Sequence, residues 1–214
     1  MELIEALEEY QPWNEQEERD RAELLRRLKS GEELYSRENL SAHLTASAWV
    51  VSPDRQRVLL AYHNLYDSWA WLGGHADGEA DLLQVAMKEA CEEAGLRPAA
   101  AAGEPGSEEG RAAADRGSAA AAGSLRPVRE EIFSLETLTV DGHMKHGSWV
   151  PSHLHLNLTY LLEADEEEPL RINAEENTGV RWFLFEEALA ASKEPWFVEH
   201  IYSKLIRKLQ MKKW

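Results

Sequence analysis

The stretch GGHADGEADLLQVAMKEACEEAGL, residues 73–96, is the part of the sequence that decides the fold. Apolar residues recur at helical spacing over residues 81–94, which predicts an amphipathic helix. Asp81 and Gln84 have capping-box spacing at its start, and Gly95 occupies the place where a glycine commonly ends a helix. The sequence therefore predicts a glycine-containing loop that leads directly into a helix.

Three glutamates share one edge of this predicted helix. Glu89 and Glu93 are four residues apart, and Glu92 lies between them at the i+3 position. A period of 3.6 residues per turn brings these side chains together, and like charges at this spacing destabilise a helix that has no counterion. Hard oxygen ligands suit Mg²⁺ or Mn²⁺, which commonly bridge protein carboxylates to phosphates. A solvated acidic helix face is the alternative interpretation.

The whole stretch resembles the Nudix box, G-x5-E-x7-R-E-U-x-E-E-x-G-U with U an aliphatic residue. This box is the signature of hydrolases that cleave nucleoside diphosphates linked to another moiety. The matching positions are Gly74, Glu89, Glu92, Glu93, Gly95 and Leu96. Lys88 stands in place of the arginine, Ala80 in place of the first glutamate, and Ala90 in an aliphatic position. Asp81 is a substitute for the missing glutamate, and a plain helix N-cap is its alternative role.

The resemblance implies a divalent cation, Mg²⁺ or Mn²⁺, and a role for each matching residue. Glu89 and Glu93 would be its main ligands, and the Gly73 carbonyl a further one. Glu92 would be another ligand or the group that positions and deprotonates water, and Lys88 would take the arginine's place among the catalytic residues. Such cations neutralise pyrophosphate charge and activate the attacking water.

Residues outside the box are also candidates for the site. The family often recruits a carboxylate from a late loop, and Glu175 or Glu176 precedes the predicted strand GVRWFLF; ordinary loop charges are the alternative. Trp69 and Trp71 immediately precede the glycine pair, so one of them is a candidate for stacking on a nucleobase. Core packing is the alternative interpretation of both tryptophans.

Four histidines form a second candidate constellation. His43 opens the first predicted core strand and His75 follows the glycine pair, while His153 and His155 share one face of a later strand. Neutral imidazoles are common ligands for zinc, manganese or iron. A single histidine is more often structural, but three separate segments that each bring histidine to a strand end predict a second, histidine-bound transition metal.

Part of this pattern is similar to isopentenyl diphosphate isomerases, which share the Nudix fold. His43 in HLTASAW and His75 in GGH resemble the histidines of those enzymes, as does the closing segment EPWFVEHI. The isomerase's catalytic cysteine would fall on Gly73, whereas Cys91 lies in the predicted helix. The sequence therefore keeps the hydrolase glutamates and lacks the isomerase's acid/base residue.

Composition limits the remaining possibilities. The 214 residues include 39 acidic and 23 basic side chains, for a formal charge of -16. This balance disfavours binding of duplex nucleic acid or of an anionic membrane. The sequence starts without a secretory signal, has no apolar run of membrane-spanning length, and contains the single cysteine Cys91. We therefore expect a cytoplasmic protein, and leave a homodimer open.

The predicted fold class is α/β, a Nudix-type α/β/α sandwich with a mixed β-sheet. Residues 1–39 are predicted as an N-terminal helical extension, and residues 40–214 as the Nudix domain. A flexible, low-complexity insertion is predicted over 99–127, where alanine and glycine dominate. The leading hypothesis is hydrolysis of a phosphoanhydride bond in a nucleoside diphosphate derivative or related organic pyrophosphate. The alternatives are an isomerase-like or other His-metal enzyme on this fold, and a non-catalytic module that senses a nucleotide.

Overall fold

The protein is a mixed β-sheet covered by helices, as seen in a computed structural model that describes residues 2–65, 67–100, 123–145 and 147–211. The helices are α1 (Leu3–Glu9), α2 (Glu15–Lys29), α3 (Leu82–Ala94), α4 (Phe185–Ala191), α5 (Pro195–Phe197) and α6 (Ser203–Met211). A π-helical turn (Val198–Tyr202) joins α5 to α6. Among these residues, none of the helices has the length and apolar character needed to cross a bilayer.

Ten strands are described. They are β1 (Ala42–Val51), β2 (Arg57–His63), β3 (Ser68–Ala70), β4 (Leu72–His75), β5 (Arg126–Pro127), β6 (Ser134–Val140), β7 (His143–Lys145), β8 (Ser148–Val150), β9 (His153–Glu163) and β10 (Asn177–Leu184). The main sheet has the order β10-β2-β1-β9-β5, with β3 paired to β2, β4 to β1 and β6 to β9. β1 and β9 are parallel, and the other pairs of this sheet are antiparallel. The predicted mixed sheet is confirmed.

Strand β1 separates two apolar cores, because alternate side chains of a strand point to opposite faces. Leu44, Ala46 and Ala48 pack in the core that also contains Val85, Ala86 and Ala90 of α3. Trp49 and Val51 pack in the other core, with Tyr202, Leu205 and Leu209 from the C-terminal helices. All ten residues of β1 are buried, which is expected of a strand covered on both faces.

Helix α3 begins and ends as its sequence predicts. The Asp81 side chain accepts a hydrogen bond from Gln84 N (3.1 Å), and Gly95 adopts a left-handed φ of 71°. This conformation favours glycine because it has no Cβ. The helix is thereby fixed in register above β4, which pairs with β1 through the residues Leu72–His75.

The N-terminal helices pack into the body of the protein. Leu7 of α1, Leu24 of α2 and Leu34 are fully or almost fully buried in the same core as α3. The side chain of Glu17 is also buried, in contact with Lys204 and Lys208 of α6. The predicted boundary after residue 39 therefore does not mark a gap in the packing.

The structure describes only the two ends of the predicted insertion 99–127. Residues 101–122 lie outside the described residues. Residues 123–127 are part of the structure, because Leu125 is buried and β5 pairs with β9. The Glu168 carboxylate accepts hydrogen bonds from the backbone N–H groups of Arg97 (3.1 Å) and Ser124 (2.9 Å). Residues 123–127 therefore pair and pack with the body of the protein, and the flexibility of the insertion stays a prediction.

Candidate active site

Three carboxylates from separate parts of the chain meet beside β4. Glu89 and Glu93 lie one turn apart on α3, and Glu176 comes from the loop that precedes β10. One carboxylate oxygen from each lies within 4.8 Å of one oxygen from each of the others. A backbone hydrogen bond from Asn64 N to the Glu176 carbonyl (3.0 Å) fixes the late loop against the end of β2. Of the two candidates in that loop, the structure thus brings Glu176 to the α3 edge.

Glu93 is the most enclosed member of this group, with 1% of its surface exposed. Its Oε1 accepts a hydrogen bond from Gly73 N (2.8 Å), and Asn177 Nδ2 donates to its backbone carbonyl (2.9 Å). Its Oε2 lies 3.6 Å from His63 Nε2 and has no hydrogen-bond partner among the described residues. A buried carboxylate oxygen without a hydrogen bond is costly unless a charge compensates it. This oxygen is therefore suited to ligate a cation.

The acid–base properties of the group point the same way. Burial, and next the charges of Glu93 and Glu176, raise the pKa of Glu89 to about 7. Burial and the charge of Glu93 also raise the pKa of Glu176. Burial alone would lower the pKa of His63, but the negative charge of the nearby Glu93 carboxylate outweighs it, and the pKa is raised. Negative charge is thus concentrated at one point, where hard oxygen donors fit Mg²⁺ or Mn²⁺.

The two glycines of β4 make close approaches in different directions. A Cβ on Gly74 would lie 2.5 Å from Glu89 Cδ, so this glycine leaves room for the carboxylate. A Cβ on Gly73 would instead lie 2.5 Å from the Ala46 carbonyl oxygen and 2.8 Å from Ser47 Cα, both backbone atoms of β1. One glycine therefore makes space for the site, and the other for the strand pairing beneath it.

Alanine substitutions at these two positions should have separable effects. We expect Gly73→Ala to lower the free energy of unfolding by about 1–3 kcal/mol, because the backbone of β1 cannot move away cheaply. We expect Gly74→Ala to change stability less and to weaken Mn²⁺ binding by about tenfold, because the Glu89 side chain can swing aside. Urea unfolding and calorimetric Mn²⁺ titration measure the two effects. Equal destabilisation by both substitutions would contradict this assignment.

Several residues predicted from the box lie outside the three-carboxylate group. Glu92 is half exposed, and its Oε1 lies 3.6 Å from Lys88 Nζ, so these two side chains pair along the outer surface of α3. Glu175 is exposed. Asp81 caps α3, which is the plain helix-cap role given as its alternative. Spacing alone did not distinguish Glu92 from Glu93, because at about 100° per residue they lie about 60° and 40° to either side of Glu89 around the helix.

The two tryptophans before the glycine pair have different environments. Trp71 is 8% exposed, and its ring packs edge-on against Tyr202 (ring centroids 5.7 Å apart) in the second core. The hypothesis that Trp71 stacks on a nucleobase is therefore corrected, since its ring contributes to core packing. Trp69 is partly exposed, edge-on to Tyr62 with a centroid separation of 5.3 Å, and the Arg181 guanidinium carbon lies 5.7 Å from its ring.

The predicted histidines come together at the other face of the sheet. His43, His153 and His155 each place a ring nitrogen within 4.8 Å of the others, and the ring of His75 lies 5.1 Å from that of His43. Burial is the main cause that lowers the pKa of His43. The structure thus brings together all four histidines, but at a distinct place from the glutamates.

Sequence reasoning missed two neighbours of Glu93. His63 is the last residue of β2 and pairs with Asn177, the first residue of β10. His63 was not among the histidines predicted as ligands, because it stands apart from them at the end of a different strand. Strand ends in mixed sheets are frequent places for binding groups, and a polar residue directly after an apolar strand was the available signal. Asn177 had no such signal, because its role depends on the long-range pairing.

Comparison with solved structures identifies the fold. The dihydroneopterin triphosphate pyrophosphohydrolase of E. coli is 15% identical, with a TM-score of 0.51 over 82% of this chain and 99% of that one. The MutT protein of Methanosarcina mazei Go1 is 11% identical, with a TM-score of 0.50 over 80% and 97%. A NUDIX-family hydrolase of Clostridium perfringens is 19% identical, with a TM-score of 0.46 over 78% and 96%.

No protein-family model and no curated protein sequence matches the chain. The neighbours with TM-scores of 0.51 and 0.50 share the fold of this chain, while at identities of 15% and 11% the substrate must be argued from the site itself. The curled mixed sheet, the loop-to-helix stretch 73–96 and the structural neighbours agree on one architecture. The protein has the Nudix fold.

Proposed function

We propose that the protein is a divalent-cation-dependent hydrolase that cleaves a phosphoanhydride bond in a nucleoside diphosphate derivative or related organic pyrophosphate. The observation that carries this proposal is the convergence of Glu89, Glu93 and Glu176, whose carboxylate oxygens lie within 4.8 Å of one another. Glu93 supplies a buried oxygen without a hydrogen-bond partner in the described part of the chain. Three oxygen donors and a concentrated negative charge match Mg²⁺ or Mn²⁺ better than any neutral ligand.

The residues that would hold the cation are Glu89, Glu93 and Glu176, with the carbonyl of Gly73 as a further ligand. When bound, the cation would neutralise pyrophosphate charge and lower the pKa of the attacking water. Glu93 is kept rigid for this role by the hydrogen bond from Gly73 N and by Asn177. Preorganised ligands of this kind need no rearrangement when charge develops in the reaction.

We assign removal of the proton from the attacking water to a carboxylate on the same edge of α3. Burial and the neighbouring carboxylates raise the pKa of Glu89, but a bound cation would keep this carboxylate ionised, so Glu89 acts as a ligand. Glu92 lies at the exposed side of the edge with the ammonium of Lys88 beside it, and is our candidate for passing the proton to solvent. Trp69 is the remaining candidate for contact with a base or other ring of the substrate.

An isomerase-like reaction is less well supported by the same geometry. That chemistry is expected to need a cysteine at position 73, where Gly73 stands. A Cβ at this position would meet backbone atoms of β1 at 2.5 and 2.8 Å, so the strand pairing leaves no room for any side chain. The free thiol of the chain, Cys91, lies on α3 instead.

A turnover screen tests the proposal. Nucleoside diphosphate sugars, dinucleoside polyphosphates and nucleoside triphosphates would be incubated with Mg²⁺ or Mn²⁺, and the products separated by anion-exchange chromatography. We expect at least one compound to yield a nucleoside monophosphate, and EDTA to stop the reaction. A Glu89→Gln/Glu93→Gln double variant, purified in parallel, controls for contaminating enzymes.

Two outcomes would contradict the proposal. The first is no turnover of any compound with either cation. The second is turnover that survives EDTA and the double substitution. Thermal stabilisation by a nucleotide without any product release would favour the third hypothesis, a module that senses nucleotides.

A further inference from the structure

The four histidines lie on the opposite face of the sheet from the glutamates. Leu44 packs on the α3 face of β1, so the preceding residue His43 points to the other face. In the same way Gly74 faces Glu89, and the next residue of β4, His75, faces the histidine group. The parallel pairing of His43 with His155 places the start of β9 beside the start of β1. The histidines are therefore a separate site and not an extension of the carboxylate group.

Three of these histidines form a compact set of nitrogen donors. The ring centroids of His43, His153 and His155 lie 4.8, 4.9 and 5.0 Å apart. His153 Nε2 is 3.2 Å from His155 Nε2. His43 and His153 are 4% and 8% exposed, so their rings are almost completely removed from water. A cluster so buried cannot rely on solvent to satisfy its nitrogens.

The protein backbone fixes which nitrogen carries the proton in two of the rings. His43 Nδ1 lies 3.1 Å from the Asn39 carbonyl oxygen, and His153 Nδ1 lies 2.8 Å from the Pro151 carbonyl oxygen. A carbonyl can only accept, so Nδ1 is the donor in both rings and Nε2 carries the lone pair. Backbone carbonyls that orient imidazoles in this way are typical of the surroundings of protein-bound metals.

The Nε2 lone pair of His43 is left without compensation. This nitrogen is buried and has no hydrogen-bond partner among the residues that the structure describes. A buried polar atom in this condition destabilises the folded protein. The lone pair of His153 Nε2 accepts a hydrogen bond from His155 Nε2. A cation placed among the three Nε2 atoms would displace the proton of His155 Nε2 and bind all three lone pairs.

We propose that His43, His153 and His155 bind one divalent transition metal ion through their Nε2 atoms. Imidazole nitrogens without a carboxylate suit Zn²⁺, Co²⁺ or Ni²⁺ and not Mg²⁺, so this ion differs in kind from the one proposed at Glu89 and Glu93. Three protein nitrogens leave one position of a tetrahedral ion open, which is the arrangement of catalytic zinc sites and not of closed structural ones. His75 borders the group from β4, with its ring 4.9 Å from that of His155.

Cobalt provides a direct test, because Co²⁺ bound by three imidazoles absorbs visible light. The full chain would be freed of metal by dialysis against a chelator and titrated with Co²⁺, and then with Zn²⁺ as a competitor. We expect one equivalent of Co²⁺ with visible absorption bands that Zn²⁺ abolishes. His153→Ala and His155→Ala should each weaken Co²⁺ binding by more than about 100-fold, a larger loss than replacing a residue that only orients a ligand.

Two control proteins separate this site from others. The exposed His200 is remote in the chain from the cluster, and His200→Ala should leave the Co²⁺ titration unchanged. The Glu89→Gln/Glu93→Gln variant should also keep the absorption bands, whether or not the proposed hydrolase activity exists. Circular dichroism would show that the histidine variants remain folded, and His155→Gln replaces His155→Ala if that variant unfolds. Absence of Co²⁺ uptake, or uptake that depends on the glutamates and not on the histidines, would overturn the proposal.

Discussion

Glu93→Gln is expected to reduce metal-dependent turnover by at least about 100-fold. This loss exceeds the roughly 10- to 100-fold effect of replacing a residue that only orients a metal ligand. The glutamine oxygen can keep the hydrogen bond from Gly73 N (2.8 Å). Its amide nitrogen, however, would replace the buried Oε2 that has no hydrogen-bond partner in the described ranges. An NH₂ group donates hydrogen bonds and does not ligate Mg²⁺, so the cation would lose a charged ligand at a fixed position.

Within the carboxylate group, the loss of turnover should be larger for a more deeply buried residue. Glu176→Gln should lose less activity than Glu93→Gln, because Glu176 is exposed and a water molecule can take its place. Glu186→Gln, an exposed position on α4, is the matched control and should retain full activity. Initial rates at saturating Mg²⁺ and urea unfolding of each variant would separate catalysis from folding. Full activity of a folded Glu93→Gln protein would contradict the assignment of Glu93 as a cation ligand.

Glu17→Ala is expected to lower the free energy of unfolding by about 3–5 kcal/mol, which is a large part of the total for a typical domain. Glu17 is fully buried, and its Oε1 lies 3.2 Å from Lys204 Nζ and 2.8 Å from Lys208 Nζ. Its Oε2 also accepts a hydrogen bond from Tyr10 OH (2.6 Å). Removing the carboxylate takes the nearest counter-charge from the buried Lys208, and one of two from the buried Lys204, which also lies 2.9 Å from Glu136.

A second variant tests the reason for this loss. In Glu17→Leu/Lys208→Met both charges of the closest pair are replaced by apolar groups, and we expect this protein to lose clearly less stability than the sum of the two single changes. Urea unfolding of the four proteins of this cycle provides the measurement. Strict additivity would mean that the ion pair itself contributes nothing.

The same carboxylate should make stability depend on pH. Burial would raise the pKa of Glu17, but the charges of Lys204 and Lys208 outweigh it and hold the pKa at about 2, against an ordinary value of 4.5. The unfolded chain therefore binds the proton more readily than the folded one. The contribution of Glu17, about 3 kcal/mol at most, is present above about pH 4.5 and is lost as the pH falls towards 2. The stability difference between the natural protein and Glu17→Gln should narrow over that range.

Local patterns in the sequence predicted the parts of the fold that depend on near neighbours. The α3 helix, its cap at Asp81 and its end at Gly95 follow from residues within one turn of each other. The hairpin of β1 and β2, which pair at Val51 and Val58, likewise joins apolar runs that are neighbours in the sequence. The Nudix fold was recognised from residues 73–96 alone, because that motif combines a loop and a helix in fixed register.

Long-range arrangement could not be obtained in the same way. Nothing near Glu17 in the sequence indicates that two lysines of α6 will face it, and lysines are rarely buried. The opposite orientation of Gly74 and His75 depends on the pairing of β4 with β1, so the sequence could suggest two groups of ligands without placing them on different faces. Glu92 was grouped with Glu89 and Glu93 because helical spacing does not show which of these side chains faces the sheet and which faces solvent.

The contact between Glu17 and Lys208 joins residues that are 191 positions apart. During synthesis, α2 leaves the ribosome long before α6, and its Glu17 carboxylate can only remain in water until the last helix arrives. Burial of that carboxylate without the lysines would cost several kcal/mol, so α2 cannot dock early in its final place. We therefore expect α2 to reach its final place only together with α6.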